Sequence, residues 1–315
     1  MEVFSTIKEF GETQKETPVI LSIGMFDGVH LGHQVVLQQT VEEAVRQNAS
    51  PVAFTFPEHP GSFIRPGKEP PLLMDAEYKA ATLLRRGMKA VIIRSFDARL
   101  SNTEAKDFIP FLLDGIPSLA GICVGQNFRF GKKRVGDSQF LLEEGKRRGI
   151  AVRIIESKIL GEHPVSSSRI RLALMDGNIE EVNQMLGHPY EITGVVESGK
   201  ALGRTIGFPT LNVDWNPQAK PAYGVYAGIV KSGEQVLFAV ANYGLRPTLE
   251  SKALTPKLEV HALDQLDPAK WRSGIEICMK LLAFIRPEKK FESLEQLKEQ
   301  IAKDKRVAEE VRALN

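Results

Sequence analysis

Short apolar strands alternate with longer mixed helices through the first 185 residues, and then the alternation stops. "PVILSIG" (Pro18 to Gly24) predicts a strand, and "HQVVLQQTVEEAVRQ" predicts a helix carrying Val36, Leu37, Val41 and Val45 as one apolar stripe. "PVAFTF", "DAEYKAATLLRRG", "KAVIIRSF", "AGICVG", "GDSQFLLEEGKRRG" and "AVRIIES" continue as strand, helix, strand, strand, helix, strand. Such βα units with short connections predict a parallel sheet covered by helices.

Beyond that point "YEITGVVESG", "GVYAGIVKSGEQVLFAVANYG", "KLEVHALD" and "IEICMKLLAFI" are strand-like with hardly a helix between them. Within the second of these, "GVYAGIV" and "QVLFAVA" meet across "KSGE", as in a hairpin. Ile275, Ile277, Met279 and Leu281 alternate with Glu276, Cys278 and Lys280, the pattern of a half-buried antiparallel strand. A last helix carries Leu294, Leu297 and Ile301 on one face behind a Ser293/Gln296 capping box. Residues 186–315 therefore predict an antiparallel barrel or sandwich with a closing C-terminal helix, and the boundary falls near Leu186 to Tyr190. A chain of 315 residues is long enough for these two domains, 1–185 and 186–315.

The 41 basic and 39 acidic residues leave a net charge of +2, which gives no general attraction to nucleic acid or membrane. The N-terminal stretch has no apolar core of a signal peptide, and no apolar run spans a bilayer. Cys123 and Cys278 read as free thiols in a reducing, cytoplasmic setting.

Chemistry concentrates in "GMFDGVHLGH", Gly24 to His33, directly behind the first central strand. Gly28 allows a sharp turn and Gly32 a close backbone approach. His30 and His33, three apart at a helix start, project to one side. The helix N-terminus adds N–H groups and a partial positive charge, so the stretch suits a triphosphate. Structural or metal-ligating histidines are the alternative, although only Asp27 lies near and zinc takes three or four ligands. Further on, Ser166, Ser167 and Ser168 lead into a helix with Arg169 and Arg171 in its opening turn. Serines cap helices, but arginines there oppose the helix dipole unless they clamp an anion. "VGQNFRFGKKRVGD", with Asn127 and Arg129, is a basic glycine-rich loop that also suits any solvated surface.

The second half carries "GRTIGFPTLNVD", in which Thr210 and Asn212 face one side of an extended segment behind Pro209. Their oxygens are hard ligands suited to Mg²⁺ with nucleotide phosphates. An ordinary glycine-rich turn leading into a strand has the same look. In "KLEVHALD", Glu259 lies opposite Leu258, Val260 and Ala262, either facing solvent or acting as a base toward a hydroxyl.

Taken together, "GMFDGVHLGH" resembles the HxGH motif of the nucleotidyltransferase α/β superfamily, and "SSSRIR" its arginine-bearing motif, with Ser168 in the usual place of threonine. "GQNFRFG" between them, then "GRTIGFPTLNV", "ANYGLRPT", "LEVHALD" and the C-terminal "IRPEKKFESLEQLKEQIAKD", are similar to the prokaryotic bifunctional riboflavin kinase/FAD synthetases. The resemblance implies an N-terminal Rossmann-like nucleotidyltransferase domain and a C-terminal riboflavin kinase-like β-barrel. It implies phosphorylation of riboflavin by ATP to FMN, then adenylylation of FMN by ATP to FAD and pyrophosphate. It assigns ATP and phosphate binding to Gly24, Phe26, Asp27, Gly28, Gly32, Ser167, Ser168, Arg169 and Arg171 in the first domain, with His30 and His33 catalytic. In the second domain it assigns ATP binding to Gly203, Arg204, Gly207 and Pro209, Mg²⁺ to Thr210 and Asn212, and the general base to Glu259. Asn127, Arg129 and Arg246 fall to the flavin. The expected partners are riboflavin, FMN and ATP, with no nucleic acid and no membrane, and a homo-oligomer stays open. Alternatives are a chain retaining one activity, a nucleotidyltransferase for another phosphate acceptor, and a flavin-binding regulator.

Overall fold

The computed structural model describes residues 2–64, 66–197, 210–246, 255–264 and 271–314. Its packing divides the chain into two compact units, Met1–Ser167 and Ser168–Asn315.

The first unit is a six-stranded parallel sheet built from β1 (Glu2–Phe4), β2 (Val19–Ile23), β3 (Ser50–Thr55), β4 (Ala90–Ile93), β5 (Leu119–Gly125) and β6 (Ala151–Ile155), ordered β1-β4-β3-β2-β5-β6. All five residues of β2 are buried, as expected of a central parallel strand covered on both faces. Around it lie α1 (Ile7–Thr13), α2 (Leu31–Arg46), α3 (Ala76–Arg85), α4 (Phe108–Gly115) and α5 (Ser138–Arg148). Asp75 and Asp137 cap α3 and α5 through the N–H groups of Tyr78 and Phe140. α1 crosses α4 so closely that a Cβ on Gly11 would sit 1.8 Å from the Gly115 carbonyl oxygen. One expectation fails in α2, where Val45 is 77% exposed. The buried face runs through Val36, Leu37, Thr40 and Ala44, and Val45 lies about 100° beyond Ala44 around the helix.

The second unit holds α6 (Ser167–Met175) apart from its first residue, then α7 (Ile179–Leu186), β7 (Tyr190–Glu197), β8 (Leu211–Asp214), β9 (Gly224–Ser232), β10 (Gln235–Arg246), β11 (Thr255–Ala262) and β12 (Glu276–Pro287). These strands form a closed barrel, β7-β8-β11-β10-β9-β12. The hairpin is present, with Ser232 opposite Gln235 and Gly233 at φ +55° in a two-residue loop. Ile277, Met279 and Leu281 point inward as their alternation demands. α8 (Leu294–Leu314) closes the unit by packing Ala308 and Val311 against Ala227 and Phe238. Buried Asp304 accepts from Arg286 Nε at 2.9 Å and Nη2 at 2.8 Å, a two-pronged charged contact that sets the helix in place. Leu294 is 47% exposed, contrary to its expected place on the buried face, because the helix packs through its later turns. No helix among the described residues is long and apolar enough to cross a membrane.

Candidate active sites

In the first unit the chain runs from β2 toward β3 on one side, while β5 and β6 lie on the other. The switch point is therefore between β2 and β5, where open α/β sheets receive their ligands. The Gly24–His30 turn leaves β2 at this crevice, and Gln126 and Asn127 leave β5 beside it.

The turn is strained: Phe26 and Val29 have φ of +49° and +38°, and Gly28 has +81°. Such a conformation in residues with side chains costs about 1–3 kcal/mol each and must be held by its surroundings. Hydrogen bonds to four carbonyls of the turn do this. Met25 O accepts from Thr55 Oγ1 (3.0 Å) and Lys79 Nζ (3.2 Å), Phe26 O from the Val29 N–H, Asp27 O from Ser167 Oγ (2.9 Å), and Val29 O from Gln34 Nε2 (2.9 Å). Ser167 thus ties the second motif to the first.

His30 is the N-cap of α2, its Nδ1 accepting the His33 N–H at 3.3 Å. That assignment leaves the proton on Nε2. The two imidazoles stack at 3.7 Å between centroids, and Phe26 meets His33 edge-on at 5.4 Å. Gly32 leaves room for the His30 ring, on which a Cβ would press at 3.1 Å. The side chains of Phe26 and Asp27 are buried supports of the turn, and Asp27 Oδ1 accepts from the Leu73 N–H at 2.9 Å. His33 Nδ1 is buried without a hydrogen-bond partner among the described residues.

Burial holds His30 down at about pKa 4. It holds His33 well below the ordinary value, helped by His30 and the Lys79 charge. Both rings are neutral near pH 7 and present N–H groups rather than charge. An unfolded histidine, at 6.5, takes up a proton that the folded His30 refuses until about 4. The first unit therefore loses stability as pH falls from about 6.5 toward 4, by about 3 kcal/mol for His30 alone. Urea midpoints across that range should show the loss, and His30→Asn, which keeps a capping side chain, should reduce it and leave the part that His33 contributes.

Beside the crevice, Asn127 Nδ2 and Gln126 Nε2 both donate to Ser157 Oγ, at 3.3 and 3.0 Å. Arg129 pairs with Asp137 at 3.0 Å. Past the ends of β3 and β4, Pro57, Glu58, Ser62, Phe63, Ser95 and Phe96 line a cavity of about 260 Å³. Phe96 meets Phe56 and Phe63 edge-on at 5.7 and 6.0 Å. In the second unit Arg169 pairs with Glu181 at 2.7 Å and Arg171 is buried; Ser168 starts the same helix behind Ser167.

The barrel site follows from register. Asn212 on β8 is directly opposite Glu259 on β11, which is directly opposite Asn242 on β10. Residues so paired share a face, so one half-buried carboxylate, its Oε1 shielded from solvent, is flanked by two amides on the face opposite the buried Leu258, Val260 and Ala262. Thr210 precedes β8, two residues from Asn212. No cluster of three His, Cys, Asp or Glu suited to a metal occurs among the described residues. The hydroxyl and amide oxygens beside Glu259 fit instead a hard cation that keeps waters and phosphate oxygens as ligands. Gly203, Arg204, Gly207 and Pro209 lie outside the described residues, as does the side chain of Arg246. Lys79 and Asn242 were not singled out by sequence; a lysine on the buried side of α3, beside Ala80, Thr82 and Leu83, was the available signal for the first.

A strained, histidine-bearing turn at the switch point of a parallel sheet, and a carboxylate between two amides on a closed barrel, define a two-unit nucleotide-dependent transferase. Residues 12–169 match the family model described as FAD synthetase, and 186–312 the one described as riboflavin kinase. A bifunctional riboflavin kinase/FMN adenylyltransferase of Escherichia coli K12 is 38% identical over 92% of this chain and 92% of its own. One from Bacillus subtilis is 32% identical over 94% and 93%. A solved structure from Streptococcus pneumoniae, described as a macrolide-efflux protein, superposes with a TM-score of 0.85 at 26% identity over 98% of each chain, and that likeness carries the fold. The chain belongs to the bifunctional riboflavin kinase/FMN adenylyltransferase family.

Proposed function

We propose that this chain makes FAD from riboflavin in two separate sites. The barrel transfers the γ-phosphoryl group of ATP to the ribityl 5′-hydroxyl of riboflavin, giving FMN and ADP. The parallel-sheet unit joins FMN to the AMP moiety of a second ATP, giving FAD and pyrophosphate. The observation that carries this reading is that each unit holds its own cluster of polar side chains, His30/His33 in one and Asn212–Glu259–Asn242 in the other.

In the barrel, Glu259 accepts the proton of the attacking hydroxyl, and its flanking amides orient substrate oxygens. Thr210 and Asn212 would hold Mg²⁺, which when bound neutralises phosphate charge. The resemblance assigns Gly203, Arg204, Gly207 and Pro209 to ATP and Arg246 to the flavin. In the first unit, the His30 Nε2–H and the N-terminus of α2 donate toward the charge that grows on the α-phosphate. Ser167, whose hydroxyl donates to the Asp27 carbonyl, supports that turn, and the resemblance assigns Ser168, Arg169 and Arg171 to phosphate binding. Asn127 and Arg129 orient the flavin phosphate side, and the Phe63/Phe96 cavity takes the apolar ring. Residues 1–185 and 186–315 are assigned to the two activities, and the enzyme to the cytoplasm, where its two thiols, Cys123 and Cys278, stay reduced. An adenylyltransferase for another acceptor would have no use for the barrel.

The test is a time course of the purified chain with riboflavin, ATP and Mg²⁺, flavins separated by chromatography. FMN appears first and FAD follows. FMN alone would remove the assignment of the first unit, and unchanged riboflavin would remove both.

A further inference from the structure

Lys79 is fully buried in the first turn of α3, and no binding or catalytic role above uses it. Its Nζ donates to two backbone carbonyls from separate stretches of the first unit. One is Met25, inside the strained turn, at 3.2 Å; the other is Phe56, where the chain leaves β3 for the aromatic cavity, at 2.5 Å. Thr55, the residue before Phe56, reaches the same Met25 oxygen. An apolar side chain would fill this volume without the expense of desolvating an ammonium group. Tight packing alone therefore does not explain a lysine here.

We infer that Lys79 is a positioning residue that locks the histidine-bearing turn and the aromatic cavity into one arrangement, so that the nucleotide and acceptor sides of the adenylylation site are held in register. The inference rests on the adenylylation reading of that site. Orientation of the Met25 carbonyl helps fix Phe26 at φ +49°, and Phe26 in turn supports His33 edge-on. Without the charged tether the turn relaxes toward ordinary backbone angles, and His30 and His33 move with it.

The charged groups facing Lys79 are Asp27 from the turn and Asp75 from the start of α3, with the neutral imidazoles of α2 beyond. Burial lowers the lysine from its ordinary 10.5 to about 8, against the pull of the two aspartates. Above that pH the amine keeps N–H donors but loses the charge-assisted part of both bonds. Adenylylation then declines as pH rises through about 8. Stability moves the other way. Between about 8 and 10.5 the unfolded lysine still carries its proton while the folded one has lost it, so the burial penalty is relieved and this group's contribution favours folding.

The experiment uses the full chain and Lys79→Met, with Lys79→Arg as a charge-retaining comparison. FMN-to-FAD turnover and riboflavin-to-FMN turnover are measured on the same samples. Expected for Lys79→Met is a rise of about tenfold or more in KM for both ATP and FMN, an unaltered kinase rate, and no alkaline break near pH 8. Wild-type KM values for both substrates, or a break retained in the variant, would overturn the inference. If Lys79→Met does not fold, the wild type decides: thermal stability falling together with adenylylation above pH about 8 overturns it. A wild type that makes no FAD overturns the underlying reading instead, which separates the two failures.

Discussion

Glu259→Gln is expected to stop FMN formation while leaving FAD formation from supplied FMN unchanged. The substitution keeps the side chain's size and its place between Asn212 and Asn242, so neither the barrel nor the geometry of its outer face should change. What it removes is the ability to take a proton. A positioned base contributes about 10²–10⁴-fold to such a transfer, and the riboflavin-to-FMN rate should fall by that much with little change in KM for ATP. A glutamate that merely faces solvent would tolerate the change within about twofold. The paired assay makes the outcome decisive, because the adenylylation rate on the same sample reports the integrity of the rest of the chain. Loss of both activities would argue against two independent sites.

Much of this arrangement could be read from the sequence, for physical reasons that differ by element. The parallel sheet announced itself through apolar strands at regular spacing, and the barrel through strict alternation in β12. The stacked pair His30 and His33 follows from three-residue spacing at a helix start. By contrast α4, "FIPFLLDG", is apolar on nearly every side, so no periodicity marks it as a helix. β1 is three residues long, too short to show a period. Asn242 joins Glu259 only through strand register, which no single segment encodes. The motif places Asp27 and Phe26 in the turn, but that their side chains are buried inside it is visible only once the turn is folded. Lys79 is the instructive miss: a helical lysine is ordinarily solvated, and only the folded turn reveals two carbonyls waiting for it.

His30→Ala should produce the reverse of the Glu259 result: riboflavin kinase activity intact, FAD formation down by about 10²–10³-fold. The alanine removes three things together. It removes the Nε2–H directed at the developing phosphate charge, the Nδ1 that caps α2 through the His33 N–H, and the ring on which His33 stacks. Loss of the cap alone costs about 1 kcal/mol and would appear as lowered stability rather than lost chemistry. His30→Asn separates these effects, since asparagine caps a helix as well as any residue but offers no imidazole N–H at that reach. The asparagine variant should therefore recover thermal stability and remain slow in FAD formation. If instead it restores FAD formation to near the wild-type rate, His30 serves the fold through its cap, and the transition-state contact must be sought at His33, whose buried Nδ1 has no partner among the described residues.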